Sequence, residues 1–206
     1  MSEPSVRCFW AVRPPEPNLE QVGRLVRVLK RPLLDCGLKV GWVAPASYHL
    51  TLKFLGEVAE GRLGEMTAQV GARLVAAPAL LTLAGLGVFP GWHRPQVVFL
   101  GATAGAEALR ELQQQLEGCL GELGYARDPR PFHPHLTLGR VRLARELPAE
   151  AQSAVQELLQ RHDEPQGPPF PLAELILYES RATPQGPSYI PLFRLPLLPE
   201  PKTPAR

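Results

Sequence analysis

Lysine is scarce in this 206-residue chain: it stands only at positions 30, 39, 53 and 202, and every other basic residue is arginine. With a formal net charge of +2, this excludes a basic coat and makes any contact with nucleic acid a local matter. Cysteine is equally sparse. Cys8, Cys36 and Cys119 are odd in number and lack C-x-x-C spacing, which argues against a disulfide framework and suits small buried hydrophobes in a reducing compartment. No basic stretch precedes the first apolar run, so we expect no signal peptide and a cytoplasmic location. The longest segment without charge, Leu74 to Trp92, has about the length of a membrane span, but Pro78, Gly85, Gly87, Pro90 and Gly91 interrupt it. A helix end, a strand and a turn are expected there instead. Neither G-x-S-x-G nor a Gly-Lys-Ser/Thr run occurs, which leaves no signature of a serine nucleophile or a phosphate loop.

What the chain does contain is one tetrapeptide written twice, His49-Leu50-Thr51-Leu52 and His135-Leu136-Thr137-Leu138. Alternation with period two is that of a strand, so His and Thr share one face and the two Leu share the other. Each copy offers one imidazole and one hydroxyl side by side.

The surrounding pattern is duplicated as well. Arg7 to Val12 reads as a strand, and Leu19, Val22, Val26, Leu29 and Leu33 mark a helix with Asn18 as N-cap and Pro32 near its end. Gly37 to Ser47 reads as a loop, followed by the strand Tyr48 to Leu55, a helix from Glu60 to Val75 and a strand from Leu80 to Phe89. The second half repeats this order: strand Gln96 to Leu100, a helix from Glu107 to Leu123 capped by Gly124, the second tetrapeptide, a helix from Ala149 to Arg161 and a strand from Leu172 to Tyr178. A last strand near Ser188 to Leu195 is added. The fold class expected is therefore α+β: a duplication of two pseudo-symmetric lobes of antiparallel or mixed sheet, with outer helices and a catalytic cleft between them. Arg7–Phe89 and Gln96–Tyr178 form the two units, residues 1–195 make a single bilobal domain, and Pro196 to Arg206 is a Pro-rich tail.

Two imidazoles in one cleft can divide the work of general base and general acid, because their unperturbed pKa lies near 6.5. A Thr two residues along can hydrogen-bond a non-bridging oxygen of an anion held between them. Phosphoryl chemistry rewards positioning and charge stabilisation, which fits a site with no obvious nucleophile. A zinc site would want Cys, Asp or Glu beside the His; His133 next to His135 is the single feature in favour of metal.

The runs His49–Gly56 (HLTLKFLG) and Arg130–Arg140 (RPFHPHLTLGR) resemble the paired His-x-Thr-x motifs of the two-histidine phosphoesterases, most closely the RNA 2′,3′-cyclic phosphodiesterases, also called 2′-5′ RNA ligase-like proteins. The likeness extends to Arg7–Val12, Gly87–Pro90, Leu177–Ser180 and Pro184–Tyr189. It implies a bilobal fold and hydrolysis of RNA 2′,3′-cyclic phosphate ends to 2′-phosphates with neither metal nor cofactor. It further implies that His49 donates a proton to the departing 3′ oxygen, that His135 activates water, and that Thr51 and Thr137 hold the phosphate. Some members also join or cleave 2′-5′ linkages. One departure is Gln96, where the family often has arginine after proline.

Around the motifs, Lys53, Arg130, Arg140 and Arg142 are candidates for a basic rim. Lys53, four residues beyond His49, falls by alternation on the same face. Phe132, Tyr48, Trp92 and Tyr189 are candidates for base stacking or core packing. The partner expected is RNA with a cyclic-phosphate end, tRNA fragments among them, with no membrane, no obligate protein partner and a monomeric state. Two other readings stay open: a non-catalytic RNA- or nucleotide-binding module, and a phosphodiesterase for 2′-5′ oligonucleotides or small cyclic nucleotides.

Overall fold

A computed structural model describes residues 3–142, 146–184 and 186–197. Strand β1 (Ser5–Val12) enters helix α1 (Glu16–Asp35), which begins at Pro15 with no side-chain cap. Asn18, expected as the N-cap, is instead fully buried inside the first turn, and its Nδ2 donates to Gln166 O (3.0 Å) and Pro168 O (2.9 Å). It ties the start of the helix to a loop almost 150 residues away. Pro32 is tolerated in the last turn, and the helix ends three residues beyond it. The expected loop over 37–47 contains a short strand, β2 (Val40–Trp42), and a 3-10 turn at Pro45–Ser47. Strand β3 (Leu50–Ala59) and helix α2 (Leu63–Arg73) follow. The apolar segment after them splits into β4 (Leu80–Leu81) and β5 (Leu83–Phe89).

The second half supplies β6 (Val97–Ala102), α3 (Ala106–Glu122), β7 (His135–Val141), α4 (Ala149–Gln160), β8 (Phe170–Pro171), β9 (Glu174–Thr183) and β10 (Gly186–Pro196). Gly124, at φ 87°, closes α3 as expected: Tyr125 N reaches back to Leu120 O at 3.0 Å. Pro196 is the last residue of β10, Leu197 N donates to Ala173 O, and positions 198–206 of the expected tail lie outside the described residues.

The strands form one antiparallel sheet in the order β10-β9-β1-β3-β7-β6-β5, with β2 beside β7 and a separate β4–β8 pair. Outward from the centre, β3, β1 and β9 mirror β7, β6 and β5. The duplication is thus a pseudo-two-fold, as expected, but the lobes are not the two contiguous halves. The third strand of each half crosses over: β5 joins the sheet of the second half and β9 that of the first. The helices cross too, with α1 against β2 and α4, and α3 against α2 and β3. One apolar core, holding Trp10, Leu50, Leu52, Leu100, Leu136 and Leu138 at 4% exposure or less, runs beneath both lobes.

The two central strands share a single residue pair, Leu50 opposite Leu136. Just past it, each strand carries a bulge. On β3, Trp10 faces Lys53 and Ala11 faces Thr51, so Leu52 is an extra residue; on β7, Val98 faces Gly139 and Phe99 faces Thr137, so Leu138 is extra. A bulge inverts the alternation that follows it. Lys53 therefore turns into the protein, 5% exposed, where Nζ donates to Glu117 Oε1 (2.9 Å), Glu117 Oε2 (2.8 Å) and Ala126 O (2.6 Å). The equivalent of Lys53 on β7 is Gly139, where a Cβ would collide with Val40 and push β2 off the sheet.

Removing one partner of a buried pair strands the other charge. We expect Glu117→Ala to lower stability by about 3 kcal/mol in urea unfolding. The double change Lys53→Met, Glu117→Leu should recover most of that loss.

Candidate active site

Side chains directly opposite in an antiparallel pair lie on one face of the sheet, and their neighbours on each strand lie on the other. Leu50 and Leu136 are fully buried in the core. His49, Thr51, His135 and Thr137 therefore all project from the opposite face, each one step from the pair that joins the half-sheets. All four are half-buried. In antiparallel sense, His49 runs toward the side of Thr137, and His135 toward the side of Thr51.

The two imidazoles are held identically. His49 Nδ1 lies 2.8 Å from Ser47 O, and His135 Nδ1 lies 2.7 Å from His133 O. A backbone carbonyl can only accept, so Nδ1 carries the proton in both rings. Nε2 is left as the free nitrogen, an acceptor when the ring is neutral and a donor when it is charged.

Aromatic rings bracket each imidazole. Phe9 (4.8 Å between centroids), Tyr189 (4.9 Å, edge-on) and Tyr178 (6.3 Å) surround His49. Phe89 (5.0 Å) and Phe99 (5.6 Å) meet His135 edge-on. Phe99 fits because residue 87 on β5 is glycine; a Cβ there would sit 2.5 Å from its Cζ. The strand crossover matters here, since each His is flanked by a ring from its own half, Phe9 or Phe99, and a ring carried over from the other, Tyr178 or Phe89. Burial among these rings depresses both imidazoles. His49 falls to about 4, mainly through desolvation, assisted by the positive charges of Arg13 and His135 and opposed by the Ser47 carbonyl. His135 is lowered for the same leading reason, with His133 and Arg140 adding to it.

Beside His49 opens a cavity of about 180 Å³ lined by Arg13, Ser47, Tyr178, Tyr189, Pro191 and Arg194. Arg13 is fixed by donating Nη1 to Ala46 O (2.9 Å) and Nη2 to Glu16 (2.9 Å), while Arg194 pairs with Glu174 at 2.6 Å. Sequence reading missed both arginines, because neither lies near a motif and only the packing of β10 against the 3-10 turn brings them together.

Of the residues expected at the rim, Tyr189 stands in the cavity against His49. Lys53 does not reach the cleft: the bulge at Leu52 overrides alternation and its ammonium is bound by Glu117 and Ala126. Phe132 is half-buried and packs on the main core, while Tyr48 is 1% exposed within it and offers no free ring face. Trp92 likewise packs on the core. Arg130 is exposed and donates Nε and Nη2 to Asp128, two residues earlier. Arg140 is the rim cation that the fold does place: it faces Val97, which shares the cleft face of β6 with Phe99, and its charge acts on both His135 and Tyr189. Gln96 is exposed beside this pair. Among the described residues, no group of three or more His, Cys, Asp or Glu is placed to hold a metal ion, and no helix is long and apolar enough to cross a membrane.

Comparison with known proteins gives one consistent result. Residues 14–184 match the model of the 2′-5′ RNA ligase superfamily. A protein named RNA 2′,3′-cyclic phosphodiesterase from Aeropyrum pernix is 34% identical over 177 residues, covering 84% of this chain and 95% of that protein. One of the same name from Methanothermobacter thermautotrophicus is 33% identical, covering 92% and 99%. The crystal structure of E. coli LigT complexed with 3′-AMP superposes with a TM-score of 0.72 at 28% identity, covering 94% of this chain and 99% of that one. The resemblance read from the two motifs holds across the fold, and the chain belongs to the 2′-5′ RNA ligase superfamily.

Proposed function

We propose that the protein hydrolyses RNA 2′,3′-cyclic phosphodiester ends to 2′-phosphomonoesters, with two imidazoles as acid and base and no metal ion or cofactor. The observation that carries this reading is the arrangement of His49, Thr51, His135 and Thr137 around the Leu50–Leu136 pair, with both Nδ1 atoms tied to carbonyls and neither Nε2 atom hydrogen-bonded among the described residues. The names of the relatives and the ligand of the E. coli structure point to the same substrate class.

In this reaction the cyclic phosphate sits between the rings with Thr51 and Thr137 donating to its non-bridging oxygens. Nε2 of His135 takes a proton from water as the water oxygen bonds to phosphorus. The bond from phosphorus to the 3′ oxygen breaks, and Nε2–H of His49 protonates that oxygen. The product is a 2′-phosphate and a free 3′-hydroxyl. Solvent then removes the proton from His135 and restores that of His49. With a ribose hydroxyl in place of water, the same groups join or cleave 2′-5′ linkages. Arg140 adds positive charge on the cleft face beside Gln96, where the family's arginine is missing. The protein acts as a monomer on RNA ends such as those of tRNA fragments.

The acid role makes a demand on His49. Its pKa of about 4 leaves the ring neutral at pH 7 in the free protein, so the proton it gives away must arrive with the anion. A negative charge beside the ring favours the imidazolium and raises the pKa.

Three outcomes follow. An oligonucleotide ending in 2′,3′-cyclic phosphate is converted to its 2′-phosphate in excess chelator, and His49→Ala or His135→Ala each reduces kcat by roughly 10²- to 10⁴-fold. Binding without product identifies the non-catalytic module instead, and faster turnover of 2′-5′ oligonucleotides or cyclic mononucleotides in the same assay identifies the narrower enzymes. Thr51→Ala or Thr137→Ala weakens binding of the cyclic end by roughly tenfold or more, the loss of one hydrogen bond to a charged group. In an NMR titration, sulfate, which does not itself titrate in this range, moves the His49 pKa upward from about 4; an unchanged value would remove the basis for His49 as the acid.

A further inference from the structure

The two sides of the cleft are not equally furnished. On the His49 side, Thr51 faces Ala11, Ala11 faces Ile176 and Ile176 faces Arg194, so one row of the reactive face ends in a guanidinium on β10. On the His135 side the matching row runs from Thr137 through Phe99 to Gly87 and stops, because β5 is the edge of the sheet. A second arginine stands closer in. Val12 pairs with Leu50 and belongs to the core, so Arg13, the next residue, comes level with His49 on the opposite face. Its counterpart beside His135 is Gly101, where a Cβ would lie 2.9 Å from Ala84 O. Both cations therefore belong to the His49 side alone.

The two guanidinium groups line the cavity of about 180 Å³ beside His49, together with the hydroxyl-bearing Ser47, Tyr178 and Tyr189. No carboxylate lines it. The acids that orient the arginines stand outside: Glu16, whose side chain is 73% exposed, holds Arg13, and Glu174 holds Arg194. Solvated pairs of this kind are weak, so they aim a cation without consuming it. Arg13 donates Nη1 to Ala46 O and Tyr48 O and Nη2 to Glu16, while Arg194 donates Nη1 to Glu174; Nε of each has no partner among the described residues. Fixed guanidinium groups with spare donors, set among hydroxyls, suit a phosphate.

If His49 gives its proton to the departing 3′ oxygen, the ribose that carries this oxygen lies on the His49 side. From there the sugar runs through C4′ and C5′ to the 5′ oxygen, which bears the next negative charge of an RNA strand. We propose that Arg13 and Arg194 form a second phosphate site, which takes the phosphate on the 5′ oxygen of the reacting nucleotide. This rests on the reading of His49 as the group at the departing oxygen. The two His and two Thr engage the cyclic phosphate that any such end carries, whereas the arginines distinguish a nucleotide joined to a strand from a lone nucleoside. Recognition through a phosphate carries no base preference.

The test compares adenosine 2′,3′-cyclic phosphate with the same compound bearing a 5′-phosphate, in wild type, Arg194→Gln and Arg194→Lys. In wild type the 5′-phosphate is expected to lower KM roughly tenfold or more, with kcat changed less than twofold. Arg194→Gln is expected to bring the two KM values within about threefold of each other, and Arg194→Lys to keep an intermediate ratio. Because Arg13 also ties the turn before His49, Arg13→Gln is read by this ratio and not by its absolute rate. Equal KM values in wild type, or a ratio that Arg194→Gln leaves unchanged, overturn the proposal. Calorimetric binding of adenosine 3′,5′-bisphosphate against adenosine 3′-phosphate reads the same contact without turnover. Should wild type hydrolyse neither substrate, the phosphodiesterase reading fails, and the ratio of these two affinities in wild type and Arg194→Gln still decides whether the second phosphate site exists.

Discussion

The contact between Leu50 and Leu136 is the hinge-point of the architecture in a static sense: it is the single residue pair by which β3 and β7 meet. Both side chains are completely buried, and that burial fixes which way their neighbours face. A one-residue slip at this place would carry all four His and Thr side chains into the core and four leucines into water. The hydrophobic core thus specifies the polar geometry, and with a strictness that no interaction among the polar groups could match. Since the strands part after one pair, the sheet leaves a widening gap on the opposite face.

Inside that gap, desolvation and hydrogen bonding act in opposite directions on each ring. The carbonyls of Ser47 and His133 favour the imidazolium, whereas the surrounding aromatic rings disfavour it more strongly. The balance keeps both rings uncharged until an anion arrives. Mutual repulsion between two imidazolium ions is thereby avoided in the empty cleft.

Most of this was legible in the sequence because it depends on short periodicities. Alternation within His49–Leu52 and His135–Leu138 gave the faces, and the repeated order of strands and helices gave the pseudo-two-fold. Failures came where distant residues decide. Lys53 could not be placed without knowing that β3 bulges at Leu52 where it pairs with Trp10 and Ala11 of β1. Arg13 and Arg194 join the site through packing of segments some 180 residues apart in sequence. Strand β2 was invisible because its three residues become a strand only by pairing with the end of β7 around Gly139. Phe132 reads in sequence as a candidate for stacking or packing, and its half-buried ring lies against the core. The crossing of β5 and β9 between lobes leaves no local trace at all.

That crossing has a bearing on how the molecule can come apart. Each half of the chain lends its last strand to the other's sheet, and its helices lie against helices of the opposite half. Neither half encloses a core of its own, so neither is an autonomous folding unit. The arrangement is that of an intertwined homodimer whose two subunits have been joined end to end. The cleft is therefore shut off from the kind of opening seen between self-sufficient domains: widening it would mean pulling strands out of a common core. A duplicated chain has in this way become a rigid jaw, whose two halves must be made, and must unfold, together.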